Sequence, residues 1–160
     1  PRRTIRVVLF ANEESGLAGG RGYAVRHAAE LPKHAGAFEA DSGTGAPLGF
    51  SWNAADTLAP ALATVARLLE PLGAGALRKG GYGGADVSPM APAGVPLFGL
   101  RQETGSYFDV HHTADDTFDK IEPASLDRAA AAMAAMAYAV ADLPEIHPRP
   151  AEPVLPAKPR

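Results

Sequence analysis

The sequence contains no cysteine, no long apolar run and no excess of basic charge, and each absence excludes a class of protein. Without cysteine there is no disulfide, no thiolate metal site and no cysteine nucleophile. No stretch reaches the roughly 18 apolar residues that a membrane-spanning helix needs. With 15 Lys and Arg against 18 Asp and Glu, the net charge of −3 excludes a nucleic-acid binder that relies on bulk positive charge.

Large apolar side chains are also scarce, although the chain is long enough to form a core. Of its 160 residues 46% are hydrophobic, but 33 of these are alanine, and Val, Leu, Ile and Phe together also number 33. At this small net charge, such a composition favours a folded domain over a disordered chain. Because the sequence starts at Pro1 without Met and runs directly into a predicted strand, we expect a fragment or a processed product.

Strand and helix patterns alternate along the chain and predict an α/β fold. A nearly continuous apolar run predicts a strand buried on both faces at 4–11, and shorter strands are predicted at 35–40 and 95–100. Helices are predicted at 21–31, from a cap at Asp56 or Thr57 to about Leu69, and from Pro123 to Asp142. The predicted inward stripes are Leu58, Leu62, Val65, Leu69 and Leu72 on the second helix, and Leu126, Ala130, Met133, Ala137 and Val140 on the last.

Three further segments have distinct compositions. Residues 80–84 hold four glycines but lack the ending of a phosphate-binding loop, so they predict a flexible rim of a site or a plain loop. Residues 101–120 are polar and irregular and contain the adjacent His111 and His112. Residues 144–160 hold six prolines and predict an extended, mobile tail.

Acidic and imidazole side chains follow the predicted strands. Glu13 and Glu14 come just after the first strand, Asp41 follows the second, and the histidine pair lies in the loop after the third. Taken singly, each of these motifs is more often a surface turn, but open α/β sheets build their sites along the carboxyl ends of strands. Carboxylates with imidazole and without thiolates favour a hydrolytic zinc site, in which one glutamate binds metal and its neighbour takes a proton from water.

Several of these motifs, in this order, resemble the co-catalytic zinc exopeptidases, the group that contains leucyl aminopeptidases, glutamate carboxypeptidase and carboxypeptidase Q. The matching segments are RVVLFANEESGLAG at 6–19, EADSG at 39–43, GAD at 84–86, GVP at 94–96 and HHTADDT at 111–117. The histidine pair and the Ala-rich last helix look closest to the carboxypeptidase Q branch. The resemblance implies that residues 1–143 are the carboxyl-terminal part of a catalytic domain. It implies a three-layer α/β/α sandwich with a mostly parallel mixed sheet, incomplete at its N-terminal side.

The resemblance also implies a role for each matching residue. Glu13 corresponds to the general base, Glu14 and His112 to ligands of one zinc ion, and Asp41 to a ligand of a second zinc ion. The family's remaining histidine ligand and its bridging aspartate have no counterpart in this chain. We therefore expect the 160 residues alone to bind zinc weakly and not to turn over peptides. We also expect an unpaired sheet edge that favours homo-oligomers.

Further roles are implied for residues around these ligands. Tyr107 corresponds to a donor to the developing oxyanion, and Asp86 and Asp116 to groups that support the metal ligands. The implied activity is hydrolysis of terminal bonds in short peptides, with aminopeptidase and carboxypeptidase or dipeptidase preference left open. The resemblance favours an exported enzyme. Two alternatives remain: a catalytically inactive binding or receptor-type relative, and a single-zinc acyltransferase of the glutaminyl cyclase type.

Overall fold

The computed structural model describes residues 1–43 and 45–149, so most of the predicted proline-rich tail lies outside the described residues. The helices and strands are, in chain order, α1 (Ala18–Arg26), β1 (Ala37–Glu39), β2 (Pro47–Asn53), α2 (Ala59–Leu69), β3 (Ala76–Lys79), β4 (Leu97–Gln102), α3 (Tyr107–Val110) and α4 (Pro123–Asp142). Short 3-10 turns join several of them. The predicted α/β class is confirmed.

The strands form one mixed sheet in the order β1-β4-β2-β3. β1 is parallel to β4 and β2 is parallel to β3, whereas β2 and β4 are antiparallel. On one face, buried aromatic residues such as Phe50 and Phe98 pack with α2 and α4. On the other, Leu97 and Val87 form a second core with the 3-10 turn Ser88–Ala93. The sheet therefore lies between two layers, as the resemblance implies.

Two of the four strands were absent from the sequence-based prediction. In β2, Leu48, Phe50 and Trp52 alternate with glycine and polar residues, which is the period-2 pattern of a strand with one apolar face. β3 has only four residues, and a segment that short carries too little pattern to be recognised. The predicted strands at 35–40 and 95–100 are present as β1 and β4, with bounds shifted by a few residues.

The prediction of a strand at 4–11 is wrong, because within the described chain these residues join no sheet. Their burial alternates: Val8 and Phe10 are half-buried, whereas Val7 and Leu9 are 85% and 92% exposed. Burial that alternates from one residue to the next indicates an extended backbone that packs against the molecule with only one of its two faces. The prediction of burial on both faces was wrong because no described strand pairs with this segment.

The helix predictions hold in outline and differ in detail. α1 begins and ends earlier than predicted, and a hydrogen-bonded turn leads from His27 to the 3-10 turn Leu31–Lys33. α2 has no side-chain cap, since Asp56 instead contacts Lys79 and the hydroxyl of Thr57 contacts His147. The bounds of α4 are as predicted, but its buried residues are Ser125, Ala129, Ala132, Met136, Val140 and Ala141, so only Val140 of the predicted stripe is buried.

A cleft of about 770 Å³ separates the 4–11 segment from β1. Its walls include Val7 and Val8 on one side, Ala37 and Phe38 on the other, and Ala130, Met133 and Ala137 of α4. β1 is the edge strand facing this cleft. Three of the residues expected to be inward on α4 thus line an open cleft, whereas the fourth, Leu126, is 43% exposed and is not part of its wall.

The beginning of the predicted tail is tied to the body of the molecule. The backbone N–H of Ala55 donates to Pro148, that of Arg149 donates to Gly94, and His147 contacts Thr57. These contacts place residues 147–149 against the body of the molecule, and residues 150–160 lie outside the described part. Among the described residues, no helix is long and apolar enough to cross a membrane.

Candidate active site

A tight turn presents Glu13 and Glu14 at the end of the 4–11 segment. Asn12 adopts a left-handed conformation with φ of 59°, and the carbonyl of Glu13 accepts hydrogen bonds from the N–H groups of Gly16 and Leu17. Glu13 is half-buried and Glu14 is exposed, so the two neighbouring carboxylates have different environments.

Glu14 meets His112, although the two are 98 positions apart in the sequence. Its carboxylate Oε1 lies 2.8 Å from the Nε2 of His112. His112 has a positive φ of 59°, a conformation that costs a non-glycine residue about 1 kcal/mol or more and persists where surrounding contacts hold it. The loop after β4 therefore holds this imidazole against the turn that carries the two glutamates.

A stack of rings connects this pair to the end of β1. The ring of His112 stacks on His111 with centroids 3.7 Å apart, and His111 stacks on Tyr107 at 4.6 Å. The Tyr107 ring in turn packs directly on Gly43, where a Cβ atom would lie 2.6 Å from the tyrosine Cδ2. Gly43 follows Asp41 by two residues, so the stack brings the loop after β4 alongside the loop after β1.

Tyr107 lies among the predicted acidic residues. Burial raises the pKa of its phenol above the usual 10.0, and the negative charges of Asp41, Asp116, Glu14 and Glu13 raise this pKa further. These four carboxylates, which come from three separate segments, are close enough to act on one hydroxyl. A phenol at its usual pKa is already protonated at neutral pH, and the raised pKa of Tyr107 keeps it protonated and able to donate a hydrogen bond.

Glu39 is a half-buried acid in the EADSG motif at 39–43 that was not predicted to belong to the site. Its carboxylate accepts a 2.9 Å hydrogen bond from the N–H of Val87, and burial raises its pKa above the usual 4.5. Asp86, beside it, has one buried carboxylate oxygen without a hydrogen-bond partner in the described part, and burial raises its pKa as well. The signal in the sequence was a glutamate inside the predicted strand at 35–40, shortly before Asp41.

The donors present fit a zinc ion in part. Carboxylate oxygen and imidazole nitrogen are zinc ligands, and bonds of about 2.0–2.2 Å in a tetrahedral site place two such atoms roughly 3.3 Å apart. Glu14 and His112 would therefore separate by about half an ångström to admit the ion. Across residues 1–43 and 45–149, no group of three or more His, Asp or Glu side chains is arranged to hold a metal. Asp41 thus lies near this pair without completing it.

Comparisons with known proteins point to one family. The model of peptidase family M28 matches residues 1–137. Carboxypeptidase Q of Mus musculus is 38% identical over 149 residues, covering 93% of this chain and 32% of the relative. For carboxypeptidase Q of Homo sapiens the identity is 33%, with 93% and 31% covered. The chain therefore spans about a third of the length of the curated relatives it matches.

A solved structure shows the same fold. The peptidase M28 precursor from Shewanella amazonensis SB2B superposes with a TM-score of 0.89 at 44% identity, over 95% of this chain and 35% of that one. At this identity the likeness extends to the sequence as well as to the backbone. With the family model covering most of its length, this chain belongs to peptidase family M28.

Proposed function

We propose that this chain is the carboxyl-terminal part of the catalytic domain of a zinc-dependent exopeptidase that hydrolyses terminal bonds of short peptides. The observation that carries the proposal is the contact between Glu14 and His112, with Glu13 adjacent and Tyr107 beside them. Membership of a peptidase family and the likeness to carboxypeptidase Q support it. The family's exported members are the basis for proposing an exported enzyme.

Each side chain has a distinct part in the proposed reaction. Glu14 and His112 would hold one zinc ion and Asp41 would contribute to a second. Zinc, when bound, lowers the pKa of water and polarises the scissile carbonyl. Glu13 accepts the proton of the attacking water and passes it to the leaving amine. The protonated phenol of Tyr107 donates a hydrogen bond to the oxygen on which negative charge develops.

The cleft beside β1 supports the proposal that further chain belongs to the catalytic unit. Among residues 1–43 and 45–149, no strand pairs with the 4–11 segment or with the outer side of β1, and the two lie on opposite sides of a space lined largely by apolar side chains. A strand placed there would pair with both and cover Ala130, Met133 and Ala137 of α4. We propose that the remaining zinc ligands come with that strand and its neighbours, and that the 160 residues alone bind zinc weakly and do not turn over peptides.

The proposal is tested by substituting Glu13 in the whole polypeptide that contains this chain. Glu13→Gln keeps the shape of the side chain but removes its basicity, so we expect kcat to fall by roughly 10² to 10⁴ while metal content stays the same. Glu14→Gln is expected to lower the metal content itself, as measured by elemental analysis after dialysis. Glu145 is an exposed glutamate shortly after the end of α4, so Glu145→Gln is the matched control and should change neither quantity.

Three outcomes would contradict the proposal. Peptidase activity that survives Glu13→Gln would mean that another group takes the proton. A wild-type protein with no peptidase activity and no bound zinc would favour the inactive binding relative. Two tightly held zinc ions with full activity in the 160-residue chain would show that its ligands have been misplaced.

A further inference from the structure

The imidazole of His112 is a proposed zinc ligand that lies largely in solvent. One contact joins it to another proposed ligand, with 2.8 Å between its Nε2 and the carboxylate Oε1 of Glu14. The two side chains are 58% and 71% exposed, so burial does not fix their orientation. A side chain that rotates freely loses conformational entropy when it binds an ion, and this loss weakens the affinity. The affinity for zinc therefore depends on what holds this ring in place.

The second ring nitrogen of His112 does not have the partner that is usual for a zinc-binding histidine. Such a histidine normally donates its other N–H to a carboxylate or a carbonyl group, which fixes the direction of the ring. Within residues 1–43 and 45–149, Nδ1 of His112 forms no hydrogen bond. The hydrogen bond of Asp116 in this part of the chain comes from its backbone N–H, which donates to Thr113. The ring of His112 is therefore held by another kind of contact.

That contact is the stack with the preceding residue, His111. Neighbouring side chains of an extended chain point in opposite directions and do not stack. His112 instead has a left-handed backbone with φ of 59°, and its ring faces that of His111 with centroids 3.7 Å apart and an interplanar angle of 30°. On its other side, His111 stacks on Tyr107 at 4.6 Å and 24°. His111 is thus the middle of three rings.

The middle ring is itself well supported. The backbone N–H of His111 donates to the carbonyl of Tyr107 at 2.9 Å, so one helical turn links the two residues. The Tyr107 ring packs on Gly43 so closely that a Cβ atom there would lie 2.6 Å from its Cδ2. His111 is half-buried, whereas His112 is exposed. The rings of Tyr107 and His111 therefore present a fixed face to the exposed imidazole.

We propose that His111 is a positioning residue whose ring, by stacking, holds the imidazole of His112 with its Nε2 directed at Glu14. This inference rests on the proposed zinc site and goes beyond it, because it gives a role to a residue that is not itself a ligand. Tilted and offset rings attract each other, and a stacked ring has fewer orientations to lose when the ion binds. The site then requires a flat ring at position 111 and does not require its nitrogens.

The test is the affinity of the whole, metal-free polypeptide for zinc alone, measured by competition with a chromophoric chelator. His111→Ala removes the ring and should weaken the binding of one zinc ion by roughly tenfold, which is the lower end of what loss of an orienting partner costs a metal ligand. His111→Phe keeps a flat ring without nitrogens and should bind zinc within about twofold of wild type. His147→Ala removes a histidine that contacts Thr57 and, as the matched control, should leave the zinc affinity unchanged.

A kinetic measurement separates positioning from a direct part in the reaction. With His111→Ala, the zinc concentration that gives half of the maximal activity should rise by the same factor as the dissociation constant, while kcat at saturating zinc stays within about twofold of wild type. If His111→Ala fails to fold, His111→Leu supplies the same comparison, because leucine fills the space without a flat ring.

The outcomes distinguish this inference from the proposed function. Wild-type zinc affinity in His111→Ala, together with a loss of zinc in Glu14→Gln, would overturn the positioning role and leave the zinc site intact. Equal losses of zinc in His111→Ala and His111→Phe would also overturn it, because His111 would then act through its nitrogens. Unchanged zinc binding in Glu14→Gln would contradict the proposed zinc site and the positioning role with it.

Discussion

Two apolar segments of similar composition differ sharply in how far they are buried in this molecule. The β4 strand holds Leu97, Phe98 and Leu100, all at most 5% exposed, between neighbouring strands on both sides. The 4–11 segment holds Val7 and Leu9, which are 85% and 92% exposed, and no described strand pairs with it. An apolar run therefore predicts that a segment tends to be buried. Whether it is buried depends on the strands available to pair with it.

The contrast matters for function because the exposed segment leads into the candidate active site. Glu13 and Glu14 follow directly from it, whereas Asp41 and the histidine loop follow β1 and β4, which are paired within the sheet. One half of the site is thus attached to a segment held by only one face. We expect partners for this segment to increase both its stability and the precision with which Glu13 and Glu14 are placed.

The largest expected effect comes from the same substitution made in each region. Leu97→Ala removes a fully buried side chain from β4 and should lower the free energy of unfolding of this chain by about 2–5 kcal/mol. Leu9→Ala removes an exposed side chain and should cost about 0.5 kcal/mol or less. Urea unfolding of both variants and of wild type measures the difference.

Equal losses from Leu97→Ala and Leu9→Ala would break the comparison, because Leu9 would then be buried in the folded chain. The whole polypeptide sharpens the test. If additional strands cover the 4–11 segment there, the cost of Leu9→Ala should rise towards that of Leu97→Ala.

Self-association is the next expected effect. The isolated chain presents the exposed row of Ile5, Val7 and Leu9 and the free edge of β1, and such surfaces promote pairing with another copy. Leu9→Lys should shift the sedimentation of this chain towards the monomer at the same concentration. Leu68→Lys replaces a 73% exposed leucine on α2 and is the matched control, with no such shift expected. Wild-type chain that stays monomeric at all concentrations would rule out this role for the segment.

Local signals in the sequence were sufficient for part of the fold. α4 begins at Pro123 and ends at Asp142 as predicted, because Pro at the first helical turn and a long Ala-rich run fix a helix without tertiary help. Its buried face was predicted one position away from the observed one, since Ala on every side leaves little contrast in the pattern. The predicted residues Ala130, Met133 and Ala137 line the cleft instead, where a partner strand would bury them.

The candidate site depended on a different kind of signal. No periodicity relates Glu14 to His112, which meet across 98 positions, and only the order of motifs shared with a known family placed them together. The cavity of about 580 Å³ beside Asp41 was not predicted at all. Its wall includes Arg78 and Arg101, which the pairing of β2, β3 and β4 brings to one face, and two of these strands were absent from the prediction. Residue types thus indicated the chemistry of the site, and the sheet topology was needed to show which side chains lie around it.

The smallest expected effect concerns α4, which contacts β4 and lines the cleft beside the 4–11 segment. The carboxylate of Glu122 accepts hydrogen bonds from the N–H groups of Ala124 and Ser125 at the start of this helix. A hydrogen bond with the Ser125 side chain, together with these two backbone bonds, lowers the pKa of Glu122 below its usual 4.5. A lowered pKa means that the stabilisation is present above about pH 4.5 and is lost as pH falls through the folded-state value. Glu122→Ala should therefore lower the melting temperature at pH 7, and its difference from wild type should shrink below pH 4.5. Thermal unfolding from pH 3 to 8 measures this, with Glu145→Ala as the exposed control. A difference that stays constant over the whole range would show that the cap acts without its charge.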